Sequence, residues 1–427
     1  MTDTRQIVLE VLLEYEKRGT FLSELMGSVL SKYAYLEERD RAFIKALAEG
    51  TVQNRIALDH CIDTVSNTPV RKMRPVIRAI LRMGACQILY MDHVPDHAAV
   101  SEAVRLVRVK HIRQLTGFVN GILRALSRRR DEGGFAFPDL ETEYSCPEWI
   151  AKKARADLGD EAAERLIRSM GQRPPLYLRA NRVKTDGNGL LEMLRTEGNE
   201  ALGAPFPEEA VQAGEGYLPL SSRAFQEGYC SVQDISSMQA VKDAVGALPL
   251  EEQLTVADVC AAPGGKACFA AELLAGRGRV LAYDISEAKV PRIRDNIRRL
   301  GLENIAAFQG DALAPREELM GKADLLIADL PCSGLGVMNR KVDIKYRVQP
   351  EDILALCKLQ RNILRNVFGY LKPGGILLFS TCTFTAEETW KQDEWIEENG
   401  FHKIVSHQFL QGSDPCDGFH YAVFRRD

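Results

Sequence analysis

Residues Leu254–Lys266 read LTVADVCAAPGGK, and the reading of this stretch decides the fold. Its first half is a run of apolar and β-branched residues closing on an acid, the pattern of a strand buried on both faces of a parallel sheet. Cys260, Ala261, Ala262, Pro263, Gly264, Gly265 and Lys266 follow, small residues and two glycines that let backbone approach a ligand closely. Ala267–Leu274 then reads as a helix. Strand, Gly-rich turn and helix N-terminus in this order make a cradle for a nucleotide-type ligand. The turn is neither G-x-G-x-x-G nor a Walker loop. Taken alone, it could equally be a tight strand-to-helix turn that holds nothing.

Downstream, strands and helices alternate. Strand candidates are Thr255–Cys260, Arg279–Ile285, Ile305–Phe308, Asp324–Asp329 and Ile376–Ser380, and Gly418–Arg425 alternates like a closing strand. This period predicts an α/β fold with a doubly wound, mainly parallel sheet in the order 3-2-1-4-5. Ligands then bind at the carboxyl ends of the strands.

Upstream, residues 1–130 are helical in every window. Ile7, Val8, Val11, Leu12 and Tyr15 form one apolar stripe, Val76, Ile77, Ile80 and Leu81 another, with breaks at Gly19, Gly50, Pro69, Pro75 and Pro95. An all-α bundle of six or seven helices is expected over 1–130. A linker follows at 131–145, opening with DEGGFAFP. Residues 146–245 form a small α+β subdomain, in which Asp234 is placed to cap a helix, and 246–427 form the sheet domain. The basic Asn181-Arg182-Val183-Lys184 of the subdomain could hold substrate phosphates or be ordinary strand surface.

The chain's net charge of −4 hides an asymmetry, because residues 1–130 hold 21 Lys/Arg against 14 Asp/Glu, a net of +7, leaving −11 for the rest. The positive charge gathers at Arg71, Lys72, Arg74 and Arg78, and again at Arg105, Arg108, Lys110, Arg113, Arg124 and Arg128–Arg130. A basic module joined to an acidic one points to a polyanion as partner. Ten cysteines without a C-x-x-C pair indicate reduced thiols in a cytoplasmic protein and argue against a zinc site. No apolar run is long enough to span a bilayer, and nothing demands a dimer.

Three acids stand past strand ends: Asp284, about 20 residues after Gly264, suits a ribose diol, Asp311 suits the adenine end, and Asp329 lies beside the first strand. With the loop they form a site for an adenosine-bearing ligand. Several carboxylates and no phosphate-binding cluster favour a cationic sulfonium, hence S-adenosyl-L-methionine. Cys332 follows Asp329 in DLPCSGLGV, and Cys382 follows the next strand in LLFSTCTF. Neighbouring strands bring both thiols to the methyl donor's cleft, where either could act as a nucleophile. A thiolate has a use there if the acceptor is C5 of a pyrimidine, which becomes nucleophilic once a thiolate adds at C6. The base must be extruded or single-stranded.

Three segments of the front end, ERDRAFIKALAEGTVQ (38–53), ILRMGACQILYMDHVPDHAAVSEAVRLVR (80–108) and GFVNGILR (117–124), resemble the NusB-like RNA-binding domain. DVCAAPGGKA, DLPCSGLGV with VDIKY, STCTF, VQDISSMQ and DGFHYAVF resemble RNA cytosine-C5 methyltransferases. Together they resemble the RsmB/Sun/Fmu family, which methylates small-subunit (16S) ribosomal RNA. The resemblance covers essentially the whole chain and implies a Rossmann-like catalytic domain. It implies that Cys260–Lys266, Asp284, Asp311 and Asp329 bind the cofactor. It also implies that Cys382 is the nucleophile and that Cys332 assists product release, while the chemistry of the adduct leaves a nearby acid, Asp329, to hydrogen-bond the base. Departures are Ala267 where Thr is frequent, Thr389 in TAEETW where the family has Glu-Asn, and His420 for an aromatic. The same chemistry on transfer RNA or large-subunit RNA, and a non-catalytic assembly factor, are the competing readings.

Overall fold

The computed structural model describes residues 3–249 and 253–427; Met1 and Thr2 of the first helical segment lie outside the described residues. The chain divides into two compact units that do not follow chain order. One holds residues up to Arg155 with Ile167–Gln172 and Met338–Val348, and the other holds Ala156–Leu166, Arg173–Val337 and Gln349–Asp427.

The helical unit is built on α1 (Thr4–Arg18), α2 (Leu22–Lys32), α3 (Glu38–Gln53), α4 (Arg55–Val65), α5 (Pro75–Tyr90), α6 (Asp96–Val109) and α7 (Thr116–Asp131). The expected stripe of α1 is buried, and α5, opened by Pro75 at its first position, buries residues on nearly every face. Gly84 lets α5 and α7 approach, since a Cβ there would meet the Leu123 side chain at 2.6 Å. The VDIKY segment, quoted above beside the Pro-Cys motif, folds into this unit. Asp343 Oδ2 accepts the Leu22 N–H at 2.7 Å, satisfying one of the orphan donors at the start of α2. Tyr346 stacks under the Arg55 guanidinium at 3.8 Å, and Arg347 donates to Tyr15 O at 2.6 Å. Lys345 is buried without a carboxylate partner, and burial lowers its pKa to about 7.

The basic surface expected on this unit is thinner than the sequence implies. Arg78, Arg105, Lys110 and Arg130 pair with Glu16, Asp3, Glu10 and Asp96 respectively. Arg71, Lys72, Arg74, Arg108, Arg113, Arg124, Arg128 and Arg129 remain exposed.

The second unit opens with the α+β subdomain, a four-stranded antiparallel sheet β2-β3-β1-β4 of β1 (Leu176–Ala180), β2 (Ala201–Gly203), β3 (Ala210–Ala213) and β4 (Cys230–Val232). Asp234 caps the helix Ile235–Gly246, accepting from Ser236 N. The main sheet holds β5 (Leu254–Asp258), β6 (Gly278–Asp284), β7 (Ile305–Gln309), β8 (Ala323–Asp329), β9 (Leu371–Thr381), β10 (Phe401–Phe409) and β11 (Phe419–Arg426), ordered β10-β11-β9-β8-β5-β6-β7. β5 to β9 run parallel in the expected 3-2-1-4-5 order, and β11 and β10 close the edge antiparallel. Alternate strand residues feed two cores. Val256, Leu325, Ile327 and Leu378 pack with the helices Ile235–Gly246 and Gly265–Leu274, while Ala257, Leu326, Leu377 and Phe379 pack with Pro350–Val367 and Trp390–Glu397. Both sheet faces are covered, which is why these strands read as continuous apolar runs.

β10 was not foreseen in the sequence. Its FHKIVSHQF buries little beyond Phe401, and a solvated edge strand lacks the apolar signal that marks the others. Among the described residues no helix is long and apolar enough to cross a membrane, and no group of three or more His, Cys, Asp or Glu is arranged to hold a metal ion.

Candidate active site

β5 delivers the chain to the Gly-rich turn. Gly264 takes φ +104°, a conformation that favours glycine, and a Cβ there would also meet Ile293 at 3.1 Å. The turn is tied down by Ala261 N donating to Tyr283 O at 2.8 Å and Ala262 N donating to Asp284 Oδ2 at 3.1 Å. Asp284 Oδ1 accepts from Ser286 N at 2.9 Å. A carboxylate has about four acceptor sites, so Asp284 keeps capacity for a diol while pinning Pro263's neighbour. Cys260 lies in a field of acids. Burial first, then the carboxylates of Asp258, Asp329, Asp284 and Asp311, push its thiol far above the usual range.

Asp258, buried at the end of β5, was not singled out from the sequence. Burial and then the nearby Asp329 raise its carboxyl to about 8. Lys266 carries the turn's one cation, and its Nζ sits 2.6 Å from Asp329 Oδ2. The Asp329 Oδ1 atom accepts from Ser380 Oγ at 2.7 Å. Thus the donor set is several carboxylates and one lysine already paired, which suits a cation and not a phosphate. Asp311 lies at an exposed position further out, its Oδ1 accepting from Leu313 N at 2.9 Å.

β8 and β9 are neighbours, and their ends bring the two cysteines together. Cys332 Sγ and Cys382 Sγ stand 3.2 Å apart, and the Cys382 N–H also points at Cys332 Sγ at 3.2 Å. The Cys382 hydrogen bond, then burial, then the charges of Cys382 and Glu388 hold the Cys332 thiol well above its ordinary pKa.

Beneath both loops sits Glu388, fully buried and unrecognised in the sequence. Its Oε1 accepts from Ser333 N at 2.9 Å and Gln360 Nε2 at 3.2 Å, and its Oε2 from Thr385 Oγ1 at 2.8 Å. Gln360 also donates to Pro331 O at 3.0 Å, and Ser333 Oγ meets Thr383 Oγ1 at 2.8 Å. One carboxylate therefore clamps the Pro-Cys loop, the Thr-Cys loop and the helix Pro350–Val367. Only its burial distinguishes it, and burial of a lone Glu leaves no periodic signal in a sequence.

The cofactor turn rests on a different support. Arg179 of β1 is fully buried, donating from Nη1 to Gly265 O at 3.0 Å and to Gln233 Oε1, and from Nη2 to Glu272 Oε1 at 2.7 Å. Its guanidinium stacks on Phe269 at 4.7 Å. The neighbouring basic run is occupied too. Asn181 donates to Gly228 O and Leu300 O, Lys184 to Glu227 O and Arg299 O, and Arg182 pairs with Glu209. The run stitches β1 to the main sheet domain. His420 is likewise accommodated, its Nε2 lying 2.9 Å from the buried Asp393 Oδ1.

Comparison with known proteins agrees with this architecture. Residues 245–423 match the model of the 16S rRNA methyltransferase RsmB/F family, 2–128 that of the NusB family, and 146–216 that of the ferredoxin-like domain of RsmF/B-like methyltransferases. The chain is 36% identical over 392 residues to the probable ribosomal RNA small subunit methyltransferase B of Bacillus subtilis, covering 91% of this chain and 86% of that one. It is 30% identical to the ribosomal RNA small subunit methyltransferase B of Klebsiella pneumoniae, covering 98% and 97%. Among solved structures, that of PH0851 superposes with TM-score 0.80 at 22% identity over 100% of this chain and 99% of that one. NSun6 from Pyrococcus horikoshii with SFG superposes with TM-score 0.57 at 20% identity, over 66% of this chain and 98% of that one. At such identities the two structures support the fold alone.

Proposed function

Because the chain belongs to the 16S rRNA methyltransferase RsmB/F family, we propose that it methylates C5 of a cytosine in small-subunit ribosomal RNA through a covalent cysteine–C6 adduct. The methyl donor is S-adenosyl-L-methionine, which when bound supplies an electrophilic methyl carbon on a sulfonium. The turn Cys260–Lys266 with Asp284 and Asp311 holds it, and the surrounding carboxylates favour its positive charge.

Cys382 is the nucleophile. Its thiolate adds to C6 of the extruded cytosine, making C5 electron-rich enough to take the methyl group, and a general base then takes the C5 proton so that the C6–S bond breaks and the thiolate departs. Asp329, braced by Lys266 and Ser380, hydrogen-bonds the base and steadies the adduct. Cys332 stays a thiol while Cys382 reacts, and assists release of the methylated base. The observation that carries this reading is the 3.2 Å meeting of the two thiols at the ends of adjacent strands, one of which also ends in Asp329.

Bisulfite sequencing of total RNA, with and without the gene, tests activity, base and site together. One small-subunit cytosine should lose its protection when the gene is absent. A protected cytosine lost from transfer RNA or large-subunit RNA instead would move the target, and no change at all would sink the enzymatic reading. Cys382→Ala should abolish turnover, while Cys332→Ala should accumulate a protein–RNA adduct visible on a denaturing gel.

A further inference from the structure

The helix Pro350–Val367 has two faces. Ile353, Cys357, Gln360, Ile363, Leu364 and Val367 are buried, and through Gln360 this face is braced against Pro331 and Glu388 below the cysteines. Leu354, Lys358, Arg361 and Arg365, spaced i, i+4, i+7 and i+11, form a stripe on its outer side. Together with Lys391 and Glu387 they line an open cavity of about 390 Å³.

Four cations face one acid in this cavity. The Lys391–Glu387 pair is long, at 3.9 Å, and Lys358 is exposed with no carboxylate partner among the described residues. Aromatic surface accompanies the charge. Trp390 is 48% exposed with Lys391 Nζ 5.4 Å from its ring, and Arg361 and Arg365 stack on Trp395 at 5.3 and 5.2 Å. Leu354, 66% exposed, adds an apolar rim. Clustered cations beside open indole surface are the two elements that bind single-stranded nucleic acid, one for the phosphates and one for an unstacked base.

We propose that this cavity and the exposed Trp390 ring beside Lys391 at its edge form an RNA-binding surface of the catalytic unit, with Lys358 and Lys391 contacting phosphates and Trp390 stacking a base of a single-stranded segment of the substrate. The inference takes RNA as the methyl acceptor, as proposed above. It differs from the basic helical surface read in the sequence, because it lies on the unit that carries the cysteines. An acidic peptide would use the cations but has no use for the indole.

Binding is measured by fluorescence anisotropy on the full chain with a short labelled single-stranded RNA and no cofactor. Lys358→Gln/Lys391→Gln should weaken binding and flatten the slope of log K against log salt by about 1 to 1.5, near the 0.7 expected per single-strand phosphate contact. Trp390→Ala should weaken binding by roughly fivefold or more at unchanged salt slope, and Trp390→Phe should restore most of it. In methyl transfer to deproteinised small-subunit RNA, the KM for RNA should rise in parallel. The kcat should stay within about twofold, with the KM for S-adenosylmethionine unaltered, since these side chains touch neither thiol nor turn. RNA affinity and salt slope equal to wild type in both variants would overturn the proposal. So would polyglutamate competing as well as RNA of equal charge, with Trp390→Ala silent. Should the wild-type chain bind RNA but not methylate it, the binding assay still supports this surface while the enzymatic reading fails.

Discussion

Two buried carboxylates hold the two halves of the site, and they are handled in opposite ways. Glu272, beneath the cofactor turn, is matched to the guanidinium of Arg179 with both side chains fully buried. Glu388, beneath the cysteines, meets only neutral donors from Ser333, Gln360 and Thr385. An ion pair cancels its own field and works as a strut. A carboxylate met only by neutral hydrogen bonds has no cation beside it to cancel its field, and here Glu388 helps to raise the thiols of Cys332 and Cys357. The donor side of the site is thus built for rigidity. The side that carries the two cysteines leaves an uncancelled carboxylate beside Cys332.

The most severe way to break this contrast is Arg179→Met, which strands Glu272 as an unpaired buried charge. The expected loss is about 3–5 kcal/mol of stability, read by denaturant or thermal unfolding. Arg179→Met/Glu272→Met should recover most of it, because removing a buried pair outright is often close to neutral. A single variant as stable as wild type would show that the pair is not a strut.

Glu388→Gln should act on chemistry more than on stability. The amide keeps the shape but replaces one of the two accepting oxygens with a donor, which then faces either the Ser333 N–H or the Thr385 hydroxyl, so kcat should fall on the order of 10–100-fold through misplacement of the loops. Loss of the anion lowers the thiol pKa values, so iodoacetamide should alkylate Cys332 faster at neutral pH. An unaltered alkylation rate would mean that Glu388 is a clamp without an electrostatic role.

Lys345 extends the comparison to the helical unit, where a buried amine has neither a carboxylate nor a hydrogen-bond acceptor beside it among the described residues. Its pKa is depressed from 10.5 to about 7. The unfolded chain therefore binds more protons between those limits, and stability is greatest above pH 10.5 and is lost as pH falls toward 7. Lys345→Met should stabilise the chain at pH 7 and below, with the difference vanishing near pH 10.5. Melting curves across that range decide it, and a pH-independent difference would refute the assignment.

Asp258 is the mirror case in the sheet unit. Its pKa is raised from 3.8 to about 8, so its contribution is present at low pH and lost as pH rises through that window. Asp258→Asn should flatten the decline in stability between about pH 4 and 8, so that its advantage over wild type grows through that window and is fully developed above about pH 8. A decline as steep as wild type would show that Asp258 is ionised throughout.

Much of the site was legible in the chain because its parts are local. A strand, a turn and a helix start announce themselves by apolar runs, glycines and spacing, so Cys260–Lys266, Asp284 and the strand-end cysteines could be named in advance. The strand order followed from alternation and made Cys332 and Cys382 neighbours. What escaped shares one property: Arg179, Asp258, Gln360 and Glu388 matter through burial among partners distant in sequence. The NRVK run shows the same limit from the other side, since its charges looked available until Lys184 and Asn181 were found capping carbonyls. So does the VDIKY segment with the Arg347 that follows it, far from α1 and α2 in sequence yet bonded to them through Asp343 and Arg347.

By itself the sequence determined most of the elements, the order of the parallel strands, the Gly-rich turn and the candidate reactive groups, because periodicity and turn chemistry act over a few residues. Only the tertiary structure decided which charges are cancelled and which are left acting, and that the two thiols touch. Solvation and Coulomb energies depend on what surrounds a group in space, and the chain's order along itself does not carry that information.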